Sequence, residues 1–352
     1  MPKRKGGPSS SSTPNSPLLK FGVLTDIQHA PVPDGLSFSG SPRYYRNALH
    51  STSSISTLLT TRHSCPFSLN LGDTIDGKVN SIAQPALEVL TNVLDVMKNF
   101  QGQWHHVYGN HELYTSLTRE ILSTTLNIPF KTEGSDLIAY HSLLKSPLPP
   151  SAPYRFIFLD AYDLTVLGRT GSKRSAAEIY LNKNPNYLKG DVNSPVGLLG
   201  DEVRFVAFNG GYGSTQMEFL KSELDECRIK GQKAFVCGHQ PFHPGSTNLI
   251  CLTLNYKTML EVIEENSDVI LATFSGHSHW PGYIESNGIH HIVFSAVLES
   301  EPGVDTYAVV NVYEDYMRIE GFGDEVNRVL KFGKETAAGA GNVKKRGKQD
   351  DC

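Results

Sequence analysis

Leu18-Leu19-Lys20-Phe21-Gly22-Val23-Leu24-Thr25-Asp26-Ile27-Gln28 is an apolar run that ends in a carboxylate and an amide. Leu18–Thr25 reads as a buried strand running straight into Asp26. The same arrangement recurs downstream. Ser68–Leu71 runs into Gly72-Asp73, and Trp104–Tyr108 runs into Gly109-Asn110-His111-Glu112. Ala234–Cys237 leads to Gly238-His239, and Val269–Phe274 leads to Gly276-His277-Ser278-His279. Further strands are read at Arg155–Asp160, His290–Ser295 and Tyr307–Val312. Ile82–Phe100 spaces Leu87, Leu90, Val93, Leu94 and Met97 as a helix does, and Gln216–Lys230 does so with Met217, Leu220 and Leu224. This alternation predicts an α/β fold with helices covering sheets. The late strands follow one another without helices, so part of the sheet is expected to be antiparallel.

The order strand, glycine, ligand has a physical reason. In open α/β folds, ligands collect beyond the carboxyl ends of the strands. Gly72, Gly109, Gly238 and Gly276 are expected to turn the backbone sharply there, often with positive φ. The next side chain then points into a shared cleft.

Bulk properties set the limits. A chain of 352 residues makes one large domain or two small ones. A formal net charge of −4 gives no basic bias toward nucleic acid. No apolar run approaches the roughly 20 residues of a membrane span. Nor does an apolar h-region follow Lys3-Arg4-Lys5, so no secretory signal and no membrane partner are expected. Five scattered cysteines argue for reduced thiols and a cytoplasmic chain. Residues 1–17 and 333–352 are expected to be disordered tails around a domain at 18–332. Each tail carries a basic cluster that reads as a solvated face or, less commonly, as a nuclear-import signal.

Taken singly, each ligand candidate has a bland reading. Asp73 suits a helix N-cap, Asn110 a left-handed turn, and His239 and His277 hydrogen-bonded core positions. His29, His63, His105, His106 and His290 have no motif around them and are read as structural. Taken together, Asp26-Ile27-Gln28, Gly72-Asp73, Gly109-Asn110-His111-Glu112, Gly238-His239 and Gly276-His277-Ser278-His279 describe a two-metal hydrolase site. From Leu18 to Tyr313 the chain resembles the calcineurin-like metallophosphoesterase superfamily. The resemblance implies two mixed β-sheets packed as a sandwich with flanking helices. It implies that Asp73 bridges two divalent cations, that Asp26, Gln28 and His279 complete the first site, and that Asn110, His239 and His277 complete the second. It places His111 at the edge of the cleft as a catalytic residue that stabilises or protonates a leaving oxygen. Glu112 is expected to orient a loop or a histidine. The implied chemistry is in-line attack on a phosphoester or phosphoanhydride by a metal-bridging hydroxide.

Gln28 stands where most of that superfamily has histidine. A carbonyl oxygen there leaves His279 as the only nitrogen donor of the first site. An oxygen-rich site suits Mn²⁺, or Mg²⁺, better than Zn²⁺ or Fe. With Gln28, the segments Arg43-Tyr44-Tyr45-Arg46-Asn47, Leu71-Gly72-Asp73-Thr74-Ile75-Asp76-Gly77, Asn193-Ser194-Pro195 and Phe208-Asn209-Gly210-Gly211 are similar to the manganese-dependent ADP-ribose/CDP-alcohol diphosphatases. That resemblance implies cleavage of ADP-ribose to AMP and ribose 5-phosphate, and of CDP-choline to CMP and phosphocholine. The partner is then a small nucleotide, and the chain is expected to act as a monomer. Phe38, Tyr44, Leu198 and Cys251 are the candidate substrate-binding residues. Tyr45 can also stack on a base, and Arg43 and Arg46 can bind phosphate, although packing and exposed arginine are the commoner roles. Asn209-Gly210-Gly211 reads either as backbone donors for a phosphate or as a plain turn. The same metal ligands also serve a phosphomonoesterase or a cyclic-nucleotide phosphodiesterase. A non-catalytic docking scaffold is the remaining alternative, and it predicts lost ligands.

Overall fold

The computed structural model describes residues 16–37, 40–133, 136–143 and 153–333. Of the expected tails, residues 1–15 and 334–352 lie outside that range. Twelve of the strands form two six-stranded sheets, and two short two-stranded pairs stand apart from them. The first has the order Arg328–Lys331, Tyr316–Phe322, Tyr307–Val312, Leu19–Leu24, Phe67–Asn70, Gln103–His106. Its last three strands are parallel, and the three from the C-terminal part pair antiparallel. The second has the order Gly282–Ser286, Ile289–Val293, Ile270–Ser275, Lys233–Cys237, Tyr154–Phe158, His141–Leu143. Its four inner strands are parallel and its two edges antiparallel. The mixed sheets match the expectation from the crowded late strands.

The two sheets pack face to face on phenylalanine. Phe21 and Phe67 from the first sheet meet Phe156, Phe235 and Phe274 from the second, all fully buried. Phe21 stacks on Phe67 at 5.2 Å and meets Phe156 edge-on at 5.2 Å. Each such burial contributes roughly 1.5–3 kcal/mol. Alternation along Leu19–Leu24 turns Phe21 and Val23 inward and Leu24 outward toward the helices. Gly22 lies under the helix Asn47–Thr61, so close that a Cβ there would stand 2.6 Å from Leu59 Cδ2. The outer face of the second sheet is covered by Ser214–Lys230 and Tyr256–Glu264 through Leu220, Leu224, Met259 and Ile263.

Two helices differ from expectation. The helix expected over Ile82–Phe100 spans Ala86–Met97 and begins after Pro85, which holds an extended conformation at its N-cap. Its buried face is Val89, Leu90, Val93 and Met97, while Leu87 is 41% exposed. The helix Asn47–Thr61 carries no apolar stripe in the sequence, because Ser51, Thr52 and Ser56 share its buried face with Ile55 and Leu59. Thr52 Oγ1 donates to the Ala48 carbonyl at 2.7 Å, which satisfies a hydroxyl buried on that face.

The five ligand segments all leave the carboxyl ends of parallel strands, on one side of the sandwich. Cys65, Cys227 and Cys237 are free buried thiols. Among the described residues no helix is long and apolar enough to cross a membrane.

Candidate metal centre

The ligand loops are tied to one another by backbone bonds. Asp26 N–H donates to Gly72 O at 3.0 Å and Gln28 N–H to Asp73 O at 2.8 Å. Leu298 N–H donates to Asp26 O at 3.0 Å. Among the described residues eight non-glycine residues have positive φ, and five of them are Asp26, Gln28, Asp73, His277 and His279. Side chains with a Cβ rarely adopt that region, and strain of this kind gathers at functional sites. The glycine expectation needs correction here. Of the four strand-end glycines only Gly72 has positive φ, at +103°, so the turn falls on the ligands themselves. Gly109 and Gly276 are needed for close approach, since a Cβ would stand 2.0 Å from Asp73 Oδ1 and from Thr25 Oγ1 respectively.

The side-chain donors form one continuous chain. Asp26 Oδ1 is 3.5 Å from His279 Nε2, which is 2.9 Å from the Gln28 amide nitrogen. That nitrogen lies 3.3 Å from Asp73 Oδ2, which is 3.3 Å from His239 Nε2. His239 Nε2 lies 3.1 Å from His277 Nδ1. Ligands at about 2.1 Å from one ion stand roughly 3.0–3.4 Å apart in octahedral or tetrahedral geometry. The spacing therefore fits cation coordination on both sides of Asp73. Asp26 Oδ1 and Gln28 Oε1 are buried without a hydrogen-bond partner. A half-turn of the Gln28 amide exchanges its nitrogen and oxygen, which is what holding a cation through Oε1 requires.

Each histidine has its other nitrogen fixed by a partner. His239 Nδ1–H donates to Leu71 O at 2.8 Å. His279 Nδ1–H donates to Glu299 Oε1 at 2.9 Å. His277 Nε2–H donates to Asn209 Oδ1 at 3.1 Å. Such outer partners set the tautomer and aim the remaining lone pair at the centre. His239 and His277 are hydrogen-bonded, as the bland reading has it, and the bonds leave Nε2 of one and Nδ1 of the other facing each other beside Asp73, where the three could hold a metal ion. Of the five histidines read as structural, His29, His63, His106 and His290 each have a hydrogen-bonded ring nitrogen away from the centre.

The centre draws positive charge. Burial works against the charged form of His239, but Asp73 overrides it and raises its pKa to about 9. Burial also opposes the ionised form of Asp73, yet His239 and His111 hold its pKa well below the usual range. Burial and the neighbouring His239 keep His277 neutral. The raised His239 pKa and the lowered Asp73 pKa reflect the attraction between the two, in the space where a divalent cation would compete with a proton. Glu112 is pushed up to about 7 by burial and by Asp73. It accepts from the Gly109 and Asp73 N–H groups at 2.8 and 3.1 Å, and from that of Thr74. Glu112 is thus a loop organiser, as expected. Asn110 opens the short helix Asn110–Leu113, and Tyr162 OH donates to its Oδ1 at 3.0 Å. The next backbone N–H, of His111, donates to Asp73 Oδ1 at 2.8 Å.

A cleft of about 400 Å³ adjoins the centre, lined by Arg43, Tyr45, Asp76, Lys78, His111 and Tyr114 among others. His111 Nδ1 stands 3.0 Å from Asp76 Oδ2, so Nε2 is the nitrogen left for a substrate. Burial opposes a charged His111, but Asp76 and Asp73 outweigh it and raise its pKa. A second cavity of about 440 Å³, lined by Trp104, His105, His106, Phe130 and His141 among others, has no lysine or arginine among the described residues of its wall. Burial holds His105 and His141 down at about 4.

The expected substrate residues fare unevenly. Phe38 lies outside the described residues. Tyr44 is half-buried and does not line the cleft, whereas Tyr45 does, with Lys78 Nζ 5.4 Å from its ring centre. Leu198 packs on a satellite cluster with Leu181, Phe205 and Leu254. Cys251 is fully buried in the turn Leu249–Cys251, where its carbonyl accepts from Gln240 at 3.4 Å. Neither Leu198 nor Cys251 reaches the cleft beside His111. Arg43 lines that cleft, while exposed Arg46 turns its Nε to Val32 O at 2.8 Å. The Gly210 N–H is taken by Gln240 Oε1 at 2.9 Å, so the Asn209-Gly210-Gly211 turn does not offer it to a phosphate. No spacing rule marks Tyr162 or Glu299 in the sequence for these contacts, and Asn209 lies in the Phe208-Asn209-Gly210-Gly211 segment.

Residues 19–281 match the model of the calcineurin-like phosphoesterase family. A protein of Oryza sativa subsp. japonica named manganese-dependent ADP-ribose/CDP-alcohol diphosphatase is 37% identical over 309 residues, covering 87% of this chain and 91% of its own. A Homo sapiens protein of the same name is 33% identical, covering 95% and 98%. The crystal structure of a dimetal phosphatase from Danio rerio superposes with a TM-score of 0.82 at 29% identity, covering 90% of this chain and 100% of that one.

Proposed function

The chain belongs to the calcineurin-like phosphoesterase family, within the group whose relatives carry the diphosphatase name, and from that premise we propose that it is a dinuclear-metal hydrolase of ADP-ribose and CDP-alcohols. It cleaves ADP-ribose to AMP and ribose 5-phosphate, and CDP-choline to CMP and phosphocholine. One observation carries the dinuclear part: Asp73 Oδ2 stands 3.3 Å from Gln28 on one side and 3.3 Å from His239 on the other. Asp26, Gln28, His279 and Asp73 would hold one cation; Asp73, Asn110, His239 and His277 would hold the second. Two such cations supply Lewis-acid activation of water and of phosphoryl oxygens. Mn²⁺ is the resident ion, because Gln28 makes the first site rich in oxygen.

The rest is done by the chain's own groups. A diphosphate has a second phosphate beyond the one at the cations. Arg43 and Lys78 in the adjoining cleft give it positive charge, and Tyr45 and Tyr114 give the attached group an aromatic wall. His111, held through Nδ1 by Asp76, delivers its Nε2 proton to the oxygen of the departing phosphate. The enzyme acts as a monomer on small nucleotides in the cytoplasm. Residues 18–332 form the catalytic domain.

The deciding experiment adds Mn²⁺ or Mg²⁺ to metal-stripped protein and offers ADP-ribose, CDP-choline and an aryl phosphate monoester. Mn²⁺-dependent release of AMP and CMP, with the monoester a poor substrate, is the expected result. Good monoester turnover with intact nucleotides removes the substrate assignment and leaves the metal centre standing.

A further inference from the structure

We propose that Glu299 is a positioning residue that ties the first cation site to the substrate cleft, by holding His279 and Arg43 with one oxygen. The proposal rests on the reading of the site given above. Glu299 Oε1 accepts from His279 Nδ1–H at 2.9 Å and lies 3.8 Å from Arg43 Nε. Its side chain is 13% exposed, between His279 at 8% and Arg43 at 17%. The contact to His279 fixes the tautomer that leaves Nε2 for the cation. The contact to Arg43 is one of charge, since 3.8 Å is too long for a hydrogen bond. Arg43 Nε is closed to solvent and has no hydrogen-bond partner, so Glu299 meets that end of the guanidinium through charge while the side chain lines the cleft.

The backbone explains how one residue reaches both. Leu298 N–H donates to Asp26 O at 3.0 Å, and Leu298 O accepts from Tyr44 N–H at 2.9 Å. The segment carrying Glu299 is thereby strapped between the loop of a cation ligand and the residue next to Arg43. Any shift of Glu299 moves His279 and Arg43 together. The two phosphates of a substrate must be held at a fixed separation for in-line attack, one at the cations and one at Arg43. Glu299 sets that separation from the protein side.

Two substitutions separate its two roles. Glu299→Gln keeps an oxygen that accepts from His279 and removes the charge that holds Arg43. Glu299→Ala removes both. Mn²⁺ binding to metal-stripped protein is read by electron paramagnetic resonance, and KM and kcat are read with ADP-ribose. The Ala variant is expected to weaken one of the two Mn²⁺ sites about 10–100-fold. The Gln variant is expected to bind Mn²⁺ like the parent and to raise KM about tenfold, as does Arg43→Ala. The double variant Glu299→Gln/Arg43→Ala is expected to have the KM of Arg43→Ala alone. Unchanged Mn²⁺ binding in the Ala variant, or additive KM effects in the double variant, overturns the proposal. Thermal melts of each variant exclude misfolding, and the isosteric Gln form keeps the test valid if the Ala form does not fold. Should the parent leave ADP-ribose intact, the substrate reading fails by itself. The Mn²⁺ titration still judges the His279 contact, and KM is then read with whichever phosphoester is hydrolysed.

Discussion

The two halves of the candidate metal centre share Asp73 and each hold a hydrogen-bonded histidine, but they differ in backbone strain and in unmet polarity. In the first half, Asp26, Gln28 and His279 all have positive φ, at 51°, 44° and 64°. Asp26 Oδ1 and Gln28 Oε1 are also buried without partners. In the second half only His277 has positive φ. There Asn110 is held by Tyr162, His239 by Leu71, and His277 by Asn209. An unmet buried polar group costs about 1–3 kcal/mol, so the first half stores unsatisfied polarity that a cation relieves. The second half is closed by protein hydrogen bonds and is already arranged for its ion. Affinity is therefore expected to be higher in the second half, where no side chain has to turn. Selectivity is expected to lie in the first, where Gln28 must.

The largest effects fall on what the halves share. Asp73→Ala removes the carboxylate that stands 3.3 Å from a donor on each side, and metal content and turnover should both fall to background. Retention of two Mn²⁺ per chain by that variant breaks the picture of a common bridge. His111 belongs to neither half. His111→Ala should lower kcat by about 10²–10⁴-fold while both ions stay bound. Loss of metal instead would move His111 among the ligands. Asn209→Ala frees His277 Nε2 and should weaken the second site alone, by about 10–100-fold, seen as one shifted step in a Mn²⁺ titration. A shift of both steps means that the halves are not independent.

The sequence showed the ligands better than it showed what holds them. Five strand-end segments located Asp26, Gln28, Asp73, His239, His277 and His279 because each ligand directly follows a short apolar run, and the parallel strands then deliver them to one side. The partners of those ligands come from segments with no such signature. Glu299 lies beyond its strand in a loop, and Tyr162 sits among ordinary aromatic and acidic residues. Their roles depend on which loops the fold lays side by side, information that no local period carries. The helix Asn47–Thr61 was hidden for a related reason: its buried serines and threonines carry no apolar stripe. Tyr45 rather than Tyr44 lines the cleft because a one-residue step reverses the side of the chain, a distinction that an isolated Arg43-Tyr44-Tyr45-Arg46 cannot settle.

Gln28→His tests whether selectivity lies in the first half. An imidazole there supplies a second nitrogen beside His279, and preference should move from Mn²⁺ toward Zn²⁺ or Fe. Competition between Mn²⁺ and Zn²⁺ for stripped protein measures the shift. An unchanged Mn²⁺ preference would mean that the oxygen-rich donor set is not what selects the ion.

Tyr162→Phe gives the smallest expected effect and the finest test of the comparison. Its hydroxyl donates to Asn110 Oδ1 at 3.0 Å, and Arg119 Nη2 donates to the Tyr162 carbonyl at 2.6 Å. Arg119 in turn pairs with Asp160 at 2.9 Å, so the backbone of Tyr162 is tied to a buried ion pair. Removing the hydroxyl leaves that anchor and the packing of the ring intact. Only the orientation of Asn110 loosens. One hydrogen bond of this kind is worth about 1 kcal/mol, so the second site should weaken by roughly fivefold, with the first unchanged and kcat at saturating Mn²⁺ preserved. If Tyr162→Phe instead weakens the first site, the pre-arranged half is not the one that contains Asn110. The hydrogen bonds around His239 and His277 would then be packing and not preparation for an ion.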